Sequence, residues 1–170
     1  MRPSSVEGLK ASIERWTRDS TSNQAAWGSL AAEMLETFQA DLPVLEGLIE
    51  QFKSTGLGFT LRHCSMESWG FVLRDATEPG RFRWQEFKPF GFIGHHTYDT
   101  PEECVGDMFD SGYITPDPDA LQRLSAAPEW HRGMAITFVI QQINSRQITW
   151  EEGNRQIEGI NATFGKLEAV

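Results

Sequence analysis

The fold is decided by residues 69–98, WGFVLRDATEPGRFRWQEFKPFGFIGHHTY. Trp69, Phe71 and Leu73 alternate with Gly70, Val72 and Arg74 up to the turn Glu78-Pro79-Gly80. Phe82 and Trp84 alternate with Arg81, Arg83 and Gln85 up to Pro89-Phe90-Gly91, and Phe90, Phe92, His96 and Tyr98 continue the period of two. Side chains on a strand point to opposite faces in turn, so this period predicts three short strands joined by tight turns, an antiparallel meander. Residues 59–63 offer a possible fourth strand. Counting parity within each strand places Phe71, Leu73, Phe82, Trp84, Phe92 and Tyr98 on one buried face, and Arg74, Arg81, Arg83 and His95 on the other.

Outward from this stretch the period lengthens to that of a helix. Val6, Leu9, Ile13 and Trp16 form a first amphipathic stripe, and the polar residues 19–23 end it and cap the next. Trp27, Leu30, Met34 and Phe38 form a second stripe. Asp41 and Pro43 restart the chain into a third helix through Phe52, because proline fits a first turn and not a helix interior. On the far side, Thr100-Pro101-Glu102-Glu103 is a capping box and Gly112 a stop. Asp117-Pro118 opens a short helix. A longer one runs from Pro128, apolar almost all round between Met134 and Ile140 and so expected to be central. Thr149-Trp150-Glu151-Glu152 caps the last, whose seam is Trp150, Ile157, Ile160, Phe164 and Leu167.

The expected fold is therefore α+β: a small antiparallel sheet of three or four strands packed against several helices. Residues 1–170 are read as one domain, with 1–56 a helical N-terminal layer, 57–98 the sheet and 99–170 helical. Six Trp and eleven Phe carry the apolar area that a disordered chain lacks. No apolar run reaches the length of a membrane span and no leader is visible, so the expectation is a cytoplasmic protein away from membranes. Cys64 and Cys104 fall in no disulfide or zinc spacing and read as reduced thiols.

Charge is the feature that bears on function. The net charge of −9 is uneven: residues 1–56 carry −3, residues 57–96 carry +1, residues 97–130 carry −7 and residues 131–170 balance. The acidic stretch holds Asp99, Glu102, Glu103, Asp107, Asp110, Asp117, Asp119 and Glu129, with Arg123 its one basic residue, and the first seven are the candidate partner-binding residues. A patch of this kind attracts a basic surface on a protein partner, such as a nucleic-acid-binding protein whose groove it would occupy. The alternative is a solvated face that keeps the chain soluble.

The leading expectation is a non-enzymatic protein-interaction module of the inhibitor, immunity or anti-defence type. A second reading is a small enzyme or anion-binding domain that uses Arg74, Arg81, Arg83 and His95, since guanidinium forks grip oxyanions. A third is an accessory subunit whose exposed aromatics dock in an assembly. Catalysis is disfavoured by the lack of a nucleophile–base–orienter set. His95 and His96 point to opposite strand faces and cannot share an ion without a bulge, so neither metal nor cofactor is expected. His96, on the aromatic face, reads as a core histidine. The order helix, three strands, helix is also that of double-stranded-RNA-binding domains. Their phosphate-gripping lysines at the last helix are here Thr100-Pro101-Glu102-Glu103, which repels RNA, and no family follows from the order.

Overall fold

The computed structural model describes residues 3–21 and 25–167. Among these residues six helices surround a five-stranded antiparallel sheet, which is the expected α+β class with one strand more than the three or four expected. The helices are α1 (Val6–Ser20), α2 (Ala25–Thr55), α3 (Pro101–Asp110), α4 (Ala120–Ser125), α5 (Pro128–Asn144) and α6 (Trp150–Leu167). The strands are β1 (Thr60–His63), β2 (Trp69–Arg74), β3 (Phe82–Lys88), β4 (Gly91–Tyr98) and β5 (Tyr113–Pro116), in the order β4-β3-β2-β1-β5. The strand β5 lies in the segment expected to be wholly helical. It has only four residues, too few for alternation to register, and it is held by pairing with β1.

Register corrects the expectation of one aromatic face. Val72 pairs with Trp84 and Phe71 with Gln85, so Phe71 of β2 and Trp84 of β3 point to opposite sides of the sheet. Phe82, Trp84 and Tyr98 share a face with Val72 and Leu61, while Phe71, Leu73 and Phe92 share the other with Trp69 and Phe87. Parity within a strand says nothing about its phase against a neighbour, which the β2–β3 turn sets. Both faces are consequently apolar, and both are covered. On the first, Leu9, Leu45, Leu48, Phe52, Val105 and Met108 from α1, α2 and α3 form the main core with Leu61, Val72 and Trp84. On the second, Trp69 and Phe87 meet Ala120 and Trp130, with Phe71, Phe92, Leu121 and Met134 around them.

Several helix expectations also need correction. The second and third helices are one: α2 runs through Pro43 without a break. The lost backbone bond is tolerated because Phe38 on one side of the proline and Leu45, Leu48 and Phe52 on the other enter the same core. The cap expected at residues 22 and 23 lies outside the described residues. The capping box at Thr100 and Glu103 forms as expected, and Gly112 follows α3 at φ +90°. By contrast, α5 is not central: of its residues only Trp130 and Val139 are buried. The last helix, α6, packs on α5 through Gly153, against Val139 and Ile143. Ile157, Ile160 and Phe164 are only half-buried, Trp150 is exposed, and the side chain of Leu167 lies outside the described residues.

Candidate functional site

The seven acidic residues separate into those the fold uses and those it leaves to solvent. Asp107 on α3 faces the sheet, where its Oδ2 accepts the indole N–H of Trp84 at 2.7 Å. Its second neighbours are Tyr98 and, at 3.7 Å, Nδ1 of His96. Burial and the hydrogen bond to Asp107 push the Tyr98 phenol well above its usual range. Asp117 repeats the arrangement on the opposite face, accepting the indole N–H of Trp69 at 2.8 Å and pairing with Arg123 at 2.9 Å. The Arg123 guanidinium, helped by the indole, holds the Asp117 carboxyl below the usual carboxylate range. Glu103 accepts the Thr100 N–H in the capping box, and Asp99 pairs with Arg81 at 3.0 Å. Asp110 is half-buried at the end of α3, whereas Glu102 and Asp119 are exposed.

Glu102 is not alone where it stands. It shares a groove of about 530 Å³ with Glu7, Glu46, Glu50 and Lys53 over an apolar floor of Val6 and Ile49, where α1, α2 and α3 meet. Lys53 pairs with Glu50 at 2.8 Å and Lys10 with Glu46 at 2.9 Å, while Glu7 and Glu102 carry no ion pair among the described residues. Three of these carboxylates come from the N-terminal helices, whose modest net charge of −3 hid them in the sequence. The signal that could have found them was spacing: Glu46 and Glu50 lie one helical turn apart and share a face.

The proposed anion cluster is split by the same register that divides the aromatics. Arg74 pairs with Phe82 in the ladder and its guanidinium stands 5.5 Å from that ring, on the main-core side. Arg83 and His95 lie on the other face, beyond the area covered by α4 and α5. Arg81 is held by Glu78 at 2.7 Å and by Asp99, and its partners raise its basicity. Asp75 beside it accepts from Thr77, Glu78 and Thr97, bonds that pull its carboxyl far below the usual range. Arg83 has no ion pair among the described residues, and its Nε is buried without a hydrogen-bond partner.

The remaining chemistry-bearing residues are dispersed. His96 is exposed and stacks flat on Trp84 at 5.1 Å, so it is a surface lid on the indole and not a core histidine. His63 accepts the N–H groups of Ser65 and Met66 on Nδ1. Cys64 is exposed, whereas Cys104 is buried and its thiol is pushed up to about 12 by burial and by Asp107 and Glu103 nearby. Among the described residues no group of three His, Cys, Asp or Glu side chains is placed to hold a metal, and no helix is long and apolar enough to cross a membrane. No protein-family model, curated protein or solved structure matches the chain.

Proposed function

We propose that the protein is a non-enzymatic interaction module that binds a basic surface on a protein partner, as inhibitors, immunity factors and anti-defence proteins do. The observation that carries this reading is the groove between α1, α2 and α3, with its floor of Val6 and Ile49 and its rim of Glu7, Glu46, Glu50 and Glu102. An apolar floor with charged edges suits an amphipathic helix or loop whose opposite edges carry Lys and Arg. Rim carboxylates act at long range, so they would set the association rate and make it sensitive to salt. Asp99, Asp110 and Asp119 extend the negative field around the same protein, while Asp107 and Asp117 contribute chiefly as internal acceptors.

The test is binding of an amphipathic Lys/Leu helical peptide, followed by fluorescence anisotropy at low and physiological salt. Reversing Glu7 and Glu102 to Lys takes the chain from −9 to −5. The association rate is expected to fall about tenfold or more at low salt, with the circular dichroism unchanged. Equal, salt-insensitive binding by both proteins would remove the acidic groove from consideration.

A second reading rests on a different observation, the unpartnered buried Nε of Arg83 on the open part of the sheet. An oxyanion at Arg83 and His95 would satisfy it and make this face an anion-binding surface. Titration with inorganic phosphate should then shift the His95 ring resonances in the wild type and not in Arg83→Gln.

A further inference from the structure

The two edges of the sheet are unequally protected. The edge strand β5 is four residues long and ends at Pro116, features that discourage pairing with another chain. The other edge, β4, has eight residues, Gly91 to Tyr98, with neither a proline nor an Asp, Glu, Lys or Arg among them. Such an edge offers backbone groups to a partner strand and no formal charge that repels one, with the carbonyls of Gly94 and Thr97 already accepting from the side chains of Gln85 and Arg81.

An apolar groove runs beside it. The β3–β4 register shifts at Glu86/Phe87, which leaves Ile93 as an extra residue in β4. Phe92 and Ile93 both line a groove of about 440 Å³, together with Phe90 and with Ile136, Thr137 and Ile140 of α5. Phe90, Ile93 and Ile140 are 46%, 49% and 44% exposed. At the groove stand one acid and one base, Glu129 and Arg132.

We propose that a second copy of this chain covers this groove, with β4 of the two copies pairing antiparallel about a two-fold axis. Charge favours this occupant. A chain of net charge −9 repels its own copies, yet residues 131–170 balance and β4 carries no formal charge, so this is the side on which two copies approach with least repulsion. In a two-fold arrangement the Glu129 of each copy can face the Arg132 of the other, self-complementarity that an isologous contact requires. The acidic groove belongs to the helices on the opposite sheet face, so pairing would leave both copies of it open.

Sedimentation velocity of the full chain over a wide concentration range tests this. The expected result is a concentration-dependent shift to twice the 19.2 kDa chain mass, with β4 amides gaining protection from hydrogen exchange as the dimer fills. Ile93→Lys and Ile140→Glu each place a charge in the groove and should weaken dimerisation at least about 100-fold while the circular dichroism holds. Phe138→Ser, at an exposed α5 position outside the groove, and Glu7→Lys should leave it unchanged. Two variants on separate elements keep the test decisive should one fail to fold. A wild type that stays monomeric at several hundred micromolar, or a dimer indifferent to both isoleucine substitutions, would overturn the proposal.

Discussion

Asp107 tests the distinction between a carboxylate that holds the fold together and one left to solvent. Its substitution by alanine removes the acceptor of the Trp84 indole, a side chain only 3% exposed in the main core. The same substitution takes the partner of the half-buried Tyr98 hydroxyl. A buried donor left without an acceptor costs about 1–3 kcal/mol, and hydrogen bonds to charged groups lie in the upper part of the range. Tyr98 can turn its hydroxyl toward water, so most of the loss comes from Trp84. Asp107→Ala should therefore cost about 2–4 kcal/mol, or about 5–12 °C in melting temperature for a chain of this size. Asp107→Asn retains an oxygen acceptor and should lose about half as much. Glu102→Ala, five residues earlier on the same helix and exposed, should fall within about 0.5 kcal/mol of the wild type. Urea denaturation read by tryptophan fluorescence and by circular dichroism measures all three. If Asp107→Ala unfolds at the same urea concentration as Glu102→Ala, the indole bond contributes nothing and Asp107 returns to the set of surface charges available to a partner.

Asp117 should show its role in acid. Its carboxyl is held below the usual range in the folded state, so its contribution is complete above the unfolded value of about 4 and is lost as pH falls through the lowered folded value. The stability advantage of the wild type over Asp117→Asn should thus be constant near neutrality and shrink in acid, as followed by urea midpoints at stepped pH. Ile157→Ala should cost about 1–2 kcal/mol, below the 2–5 kcal/mol of a sealed core position, because the seam of α6 is half-open; differential scanning calorimetry reads the difference. Gly133→Ala would drive a methyl group into the carbonyl of Phe90 and should loosen α5 from the β3–β4 turn, seen as faster hydrogen exchange across α5. Gly106→Ala meets the carbonyl of Ser4 in the same way and should free the start of α1, lowering the melting temperature by several degrees.

What the sequence disclosed follows from the range over which each signal acts. Caps and stops are local, so Thr100, Glu103 and Gly112 were legible, as were the strands at 69–98 with their period of two. Register is not local. Counting parity strand by strand puts Trp84 and Phe71 on one face, and the same displacement puts Arg74 beside Arg83 although the sheet lies between them. Pro43 misled because its preference for a first turn is a local cost, overridden by a core that grips α2 on both sides of it. The almost wholly apolar Met134–Ile140 run suggests a central helix. Its residues are divided among the second core, the contact with α6 and an open groove, and amphipathicity reports none of these when they spread around the helix. The acidic segment was visible as composition, but which carboxylates are free depends on pairing with Trp84 and Trp69, residues 23 and 48 positions away.

The two indole–carboxylate bonds give that acidic segment a structural meaning distinct from its charge. Each sheet face buries a tryptophan, and an indole N–H taken from water must find an acceptor. A neutral acceptor would suffice, yet both are aspartates on the segment that follows β4: Asp107 from α3 on one side, Asp117 after β5 on the other. The chain between them crosses from the helical layer of the first face, through β5, to the helices of the second. Its two aspartates fix the ends of that crossing to opposite faces of β2 and β3. Counting charges along residues 97–130 therefore overstates what faces solvent, and within the groove the segment contributes Glu102, which joins Glu7, Glu46 and Glu50 across three helices. An acidic surface assembled this way exists only when α1, α2 and α3 are docked. Substitutions that undock α1, such as Gly106→Ala, should accordingly lower affinity for a basic peptide even though they alter no charge, a coupling that a merely electrostatic tail would not show.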